Sequence, residues 1–104
     1  MSEPAKTPNP LYYAVIFTSL RADGDNGYAE TAKQMLDLAS TQPGFLGFET
    51  ARQELGISVS YWSSPESIRE WKDNVTHRQA QSRAKEWYKA FRVRVCRVEN
   101  EYGF

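Results

Sequence analysis

The chain has 104 residues, with 13 basic and 13 acidic side chains, 40% hydrophobic residues and 13% aromatic residues. That length supports one domain with a modest core, and a net charge of zero argues against nucleic-acid binding driven by overall charge. The single cysteine, Cys96, excludes an internal disulfide and a thiolate metal cluster.

The first ten residues, MSEPAKTPNP, contain three prolines and do not have the form of a signal peptide. We expect a disordered N-terminal arm over residues 1–10, followed by one folded domain over residues 11–104. No apolar run approaches the roughly 20 residues that cross a bilayer. A cytoplasmic protein with no membrane and no nucleic-acid partner is therefore expected.

The first half of the domain predicts a strand followed by a helix. Residues 11–20 are almost continuously apolar, as in a strand that is covered on both faces. Turn residues fill positions 21–27, and residues 28–40 repeat apolar side chains at helical spacing. The sequence Gln42-Pro43-Gly44 ends that helix.

A hairpin is predicted next. Residues 45–50 and 57–62 are rich in aromatic and β-branched side chains, which favour strands. We expect Gly56 at the turn, in the positive-φ position that hairpins require.

The remaining sequence predicts helical structure and a last strand. Ser63-Ser64-Pro65-Glu66 has the capping hydroxyl, first-turn proline and early glutamate that begin a helix. Two apolar stripes that follow do not align, which predicts a bend or break near Asn74. Residues 87–98 then alternate valine with arginine, as a strand does.

The order β-α-β-β-α-β predicts an α+β, ferredoxin-like fold, in which helices cover one face of a four-stranded antiparallel sheet. The first strand carries large apolar groups on both faces, so the uncovered face would be apolar. Pairing of two copies by twofold symmetry would bury it, and we therefore expect a homodimer.

Four stretches together resemble the antibiotic biosynthesis monooxygenase (ABM) superfamily of dimeric α/β-barrel proteins. They are QPGFLGFE at residues 42–49, ISVSYW at residues 57–62, ESIREW at residues 66–71, and His77. The resemblance covers most of residues 12–98 and implies a pocket between the sheet and the helices. Members include cofactor-independent oxygenases of aromatic polyketides and quinols, haem-degrading oxygenases, and many proteins without an assigned activity.

His77 and Trp71 are the candidate catalytic residues. His77 is the only histidine, and its unperturbed pKa near neutrality suits a general base. The alternative is a helix histidine that bonds a backbone carbonyl or faces water. The candidate substrate-binding residues are Trp62, Ser60, Phe17 and Tyr61; the alternatives are core packing for the tryptophans and an interface for the tyrosine.

The haem-degrading branch of the superfamily has a helix histidine, a nearby tryptophan and an asparagine in the first strand. Trp71 matches the tryptophan, but His77 is displaced from the expected position, and Phe17 or Thr18 stands where the asparagine would be. Arg92 and Arg94 have two interpretations, the orientation of an anionic substrate or an exposed strand face.

The sequence thus favours a cofactor-independent monooxygenase of a small aromatic or quinol-like compound, without cofactor or metal. One alternative is a non-catalytic dimer of the same fold that binds or senses a small aromatic ligand. A haem-binding or haem-degrading oxygenase is the third possibility.

Overall fold

The computed structural model describes residues 3–77 and 84–104, with side chains at all of these positions except 75–77 and 84. In chain order, its elements are β1 (Tyr12–Arg21), α1 (Tyr28–Ala39), β2 (Phe45–Arg52), β3 (Leu55–Trp62), α2 (Pro65–His77), α3 (Ala84–Trp87) and β4 (Tyr88–Val98). The strands form one antiparallel sheet in the order β2-β3-β1-β4. This is the predicted ferredoxin-like α+β fold.

The expected turn position of Gly56 was wrong. Pairing of β2 with β3 continues as far as Arg52 opposite Gly56, so the turn lies at Gln53 and Glu54. The glycines with positive φ are Gly24, Gly27 and Gly44.

Helix α2 runs unbroken through Asn74 to His77, so the alternative of a break at Asn74 was wrong, and a bend there stays a prediction. The Asn74 amide donates a hydrogen bond to Gln42 Oε1 at 3.3 Å, which joins the helix to the segment before β2. The helical stretch predicted beyond His77 lies partly at residues 78–83, outside the described residues.

A side chain just before or at the start of each long helix accepts hydrogen bonds from backbone amides there. The Ser64 hydroxyl accepts a hydrogen bond from the Ser67 amide at 3.1 Å, and Pro65 is the first helical residue. Before α1, the Asp25 carboxylate accepts hydrogen bonds from the amides of Gly27 and Ala29. These hydrogen bonds stabilise the start of each helix.

Alternation along the strands divides the sheet into a helix-side face and an open face. Trp62 contacts Trp71 of α2, so the residues paired with it, Tyr13 and Phe45, share the helix-side face. Four rows of paired residues cross this face: Phe45, Trp62, Tyr13 and Arg97; Phe48, Ser60, Val15 and Val95; Thr50, Ser58, Phe17 and Val93; Arg52, Gly56, Ser19 and Phe91.

The open face is partly covered by the chain's own ends. The Ala5 amide donates to the Glu49 carboxylate at 2.9 Å, and the Thr7 and Tyr12 hydroxyls both donate to Glu101. Tyr12 is therefore only 4% exposed. The arm at residues 3–10 contains no helix or strand, and its residues 5–7 nonetheless lie against the sheet.

We predict that Gly44→Ala destabilises the fold more than Gly24→Ala. Both glycines have positive φ, which costs a side chain about 1–2 kcal/mol. At Gly44 an added methyl would also lie 2.2 Å from Ser67 Oγ, whereas at Gly24 its nearest contact is 3.7 Å away. Urea denaturation of both variants measures the difference; equal losses of stability would contradict the predicted clash.

Candidate functional site

The helix-side face is filled by aromatic rings at its two ends and is less crowded in the middle. Although β4 residues Val93 and Val95 face the helix side, their exposed fractions are 50% and 57%. Their row neighbours in β3 are the small residues Ser58 and Ser60. We call this strip the helix-side groove; its floor is Val15, Phe17, Ser58, Ser60, Val93 and Val95.

Trp62 anchors one end of the groove. Its side chain is fully buried, with the ring of Phe45 edge-on at 5.4 Å and the ring of Trp71 stacked at 6.1 Å. The indole Nε1 donates a hydrogen bond to Ser60 Oγ at 2.9 Å. Trp62 is thus a packing residue, while Trp71 is only half-buried.

The other end is built from Phe17, Phe91, Tyr88 and Tyr28. Phe17 lies 5.3 Å from the Tyr88 ring and 5.5 Å from the Phe91 ring, and Tyr28 packs edge-on against Tyr88 at 5.6 Å. Burial raises the pKa of Tyr88, and its hydrogen bond with Tyr28 acts in the same direction. At neutral pH this phenol is therefore uncharged and remains a hydrogen-bond donor.

Four of the sequence-predicted site residues share the helix side of the sheet: Trp71, Trp62, Ser60 and Phe17. His77 is the last residue of α2, six positions after Trp71, and its side chain lies outside the described set.

Tyr61 is not brought together with the other candidates. It follows Ser60 directly, so strand alternation turns it to the open face. There its hydroxyl donates to the Glu49 carboxylate. Burial is the main reason why the pKa of Tyr61 is raised, and the hydrogen bond with Glu49 raises it further. Arg92 and Arg94 are exposed on the same open face and do not line the groove.

Two arginines on the helix side were missed by sequence reasoning. Arg21 ends β1 and Arg52 ends β2, where charged residues look like ordinary strand ends. Only the register shows that both belong to the aromatic end of the groove.

Within the described residues, no group of three or more His, Cys, Asp or Glu side chains is placed to hold a metal ion. No helix in this part of the chain is long and apolar enough to span a bilayer.

The fold is that of an α+β protein with a four-stranded ferredoxin-like sheet and helices on one face. The family model for antibiotic biosynthesis monooxygenase matches residues 11–83. The chain belongs to this family.

Comparison with known proteins gives relatives of differing closeness. The Bacillus subtilis (strain 168) protein called uncharacterized protein YqjZ is 45% identical over 103 residues, covering 96% of this chain and 90% of that protein. SnoaB, a cofactor-independent oxygenase from Streptomyces nogalater, has a TM-score of 0.75 at 7% identity, over 88% of this chain and 97% of SnoaB. MhuD, crystallised as a mutant with manganese protoporphyrin IX, has a TM-score of 0.67 at 22% identity, over 88% of this chain and 99% of MhuD. At these low identities, the similarity of SnoaB and MhuD to this chain is a similarity of fold.

We predict that Ser60→Ala lowers the free energy of unfolding by about 1–3 kcal/mol, because it leaves the buried Trp62 N–H without its acceptor. Ser58→Ala is the matched control. Its hydroxyl bonds the exposed Thr50 hydroxyl, which water can satisfy instead. Thermal unfolding measures both, and equal effects would show that the Trp62 bond contributes nothing special.

Proposed function

We propose that this protein is a homodimeric, cofactor-independent monooxygenase that acts on a small aromatic or quinol-like compound held in the helix-side groove. The observation that carries the proposal is the groove itself. Half-exposed valines on its floor offer an apolar surface, and aromatic rings close both ends. A flat aromatic molecule fits such a surface by shape and by ring packing.

The proposed reaction needs a base and a dry pocket. Removal of a proton from an activated CH₂ carbon gives a carbanion, which passes one electron to O₂. Recombination of the resulting radical with superoxide forms a C–O bond, and a proton completes the hydroperoxide. Loss of water leaves a carbonyl, so that R₂CH₂ and O₂ become R₂C=O and H₂O. His77 is the proposed base, and Trp71 is the proposed residue that orients the ring.

Family membership and the shared fold support this chemistry. SnoaB, which has the same fold, is named as a cofactor-independent oxygenase. The structural likeness is at 7% identity, so the activity of this chain is our proposal.

The proposed dimer joins the open faces of two sheets. After the N-terminal arm and the C-terminal tail have covered Tyr12, three apolar side chains on this face remain largely in water: Leu20, Leu55 and Ile57, with exposed fractions of 41%, 52% and 43%. All three lie towards the end of the sheet that the arm does not reach. Burial against a second copy would remove this surface from water.

We predict that Ile57→Asp shifts the protein from dimer to monomer, because it would bury a carboxylate between two sheets. Val93→Asp is the matched control, since Val93 has a similar exposed fraction on the opposite face. Light scattering at micromolar concentration measures the mass. A folded wild-type monomer, or equal effects of the two substitutions, would refute the proposed interface.

We predict oxygen consumption with at least one anthrone or quinol and a loss of about 100-fold or more in His77→Ala, the range typical for a general base. Trp71→Phe should raise KM more than it lowers kcat, because it keeps an aromatic ring at the proposed orienting position. Arg69→Gln, on the exposed side of α2, serves as the control. An oxygen electrode and a panel of electron-rich aromatics provide the measurement. If the protein consumes oxygen with none of these compounds, the proposal that it is an enzyme is refuted.

The alternative functions give different outcomes in the same experiments. A ligand-binding or sensing dimer would bind aromatic compounds tightly without oxygen uptake. Haem fits the residues less well, since β1 has no asparagine and one face of Trp71 is stacked on Trp62. A Soret band on haemin titration that His77→Ala abolishes would favour a haem protein over the proposed reaction.

A further inference from the structure

We infer that the aromatic end of the helix-side groove contains an anion site, formed by Arg21 and Arg52, which binds a carboxylate carried by an aromatic ligand. The inference rests on the proposed function in one respect, because it takes this ligand to be the substrate.

Arg52 is placed by a glycine. Its side chain leaves β2 and passes over Gly56 of β3, where an added Cβ would lie only 2.1 Å from the guanidinium. It then reaches β1, where it donates to the Ser19 hydroxyl and carbonyl. Ser19 is 2% exposed, so the guanidinium ends over a buried hydroxyl in the middle of the sheet.

Arg21 is held just as firmly. Its Nε donates to the Trp87 carbonyl at 2.8 Å, and one terminal nitrogen donates to the Gly24 carbonyl at 3.1 Å. The guanidinium carbon lies 3.6 Å from the centre of the Tyr28 ring, in a cation–π contact. These three contacts fix the side chain before any ligand arrives.

Tyr88 links the two arginines. Its ring packs against Tyr28, which lies beneath Arg21. Burial raises the pKa of Tyr88, and the positive charges of Arg52 and Arg21 oppose that rise, so both guanidiniums act on the same phenol.

Both guanidiniums have unused hydrogen-bonding capacity. Counting contacts with the described part of the chain, each uses two of its five N–H groups and keeps three. Among the residues that the structure describes, neither arginine forms an ion pair with a carboxylate. By contrast, Arg69 and Arg97 are paired with Glu66 and Glu99. Planar forks with free donors match a carboxylate in geometry as well as charge.

An apolar aromatic surface lies beside these donors. Arg52 contacts Ser19, and Ser19 is paired with Phe91 on the neighbouring strand, whose backbone is roughly 5 Å away, so the guanidinium and Phe91 lie on adjacent positions of the same face. Phe91 is half-exposed and packs against Phe17. A ligand with its ring on Phe17 and Phe91 and its carboxylate at the arginines uses both surfaces together.

Isothermal titration of the full chain with 2-naphthoate and with its uncharged analogue 2-naphthamide tests the inference. We expect the carboxylate to bind about tenfold more tightly, since a charge-assisted hydrogen bond contributes about 1.5–3 kcal/mol. Arg52→Gln should lower this preference at least about threefold. Gly56→Ala should do the same while keeping the charge, because the new methyl displaces the guanidinium.

Arg69→Gln is the control and should keep the wild-type preference. Circular dichroism and the unfolding midpoint confirm that each variant is folded. Equal binding of the two probes, an unchanged preference in Arg52→Gln, or no binding of either probe up to millimolar concentration would each overturn the site. A carboxylate preference without any oxygen uptake would keep the site and reject the monooxygenase. Oxygen uptake with neutral quinols, together with equal binding of the two naphthalene probes, would keep the monooxygenase and reject the anion site.

Discussion

The packing of Trp62 between the sheet and α2 is the contact on which the rest of the structure depends. It is the large side chain that is completely removed from water, and it joins β3, the start of β2 and the middle of α2 in one aromatic stack. A fully buried indole needs a partner for its N–H, and Ser60 supplies one from the same strand face. Since β3 is central in the sheet, this one position sets the height of α2 above the groove.

The groove exists because β3 carries small side chains where a well-filled core would have large ones. Ser58 and Ser60 lie between the Trp62 stack and the aromatic cluster around Phe17. Larger residues there would meet the helices and fill the space, as in ordinary cores. Val93 and Val95 of the edge strand β4 are half-exposed on the same face.

Much of the fold was accessible from the sequence, because the apolar periodicities of β1 and α1 and the Ser-Pro helix start are local signals. The order of elements then left few topologies to consider. The site was harder to predict. That Ser60 and Trp62 share a face follows from alternation, but the same rule places the neighbouring Tyr61 on the opposite side. The approach of Arg52 to Ser19 depends on the register of three strands and on the absence of a Cβ at Gly56, and neither has a signature in a single sequence.

The irregularity at the end of β1 has a consequence for how relatives of this chain diverge. Leu20 pairs with Ala90 and Arg21 with Tyr88, so Lys89 is an extra residue that reverses the side-chain phase of β4. In regular pairing Lys89 would lie opposite Arg21 and Tyr88 would face the far side of the sheet. The bulge instead lets Tyr88 and Phe91, three positions apart, face the helices together. Because deletion of Lys89 would leave Tyr88 opposite Arg21, with Ala90 and Phe91 in unbroken alternation, relatives can lose the bulge while both aromatic rings stay on the same face.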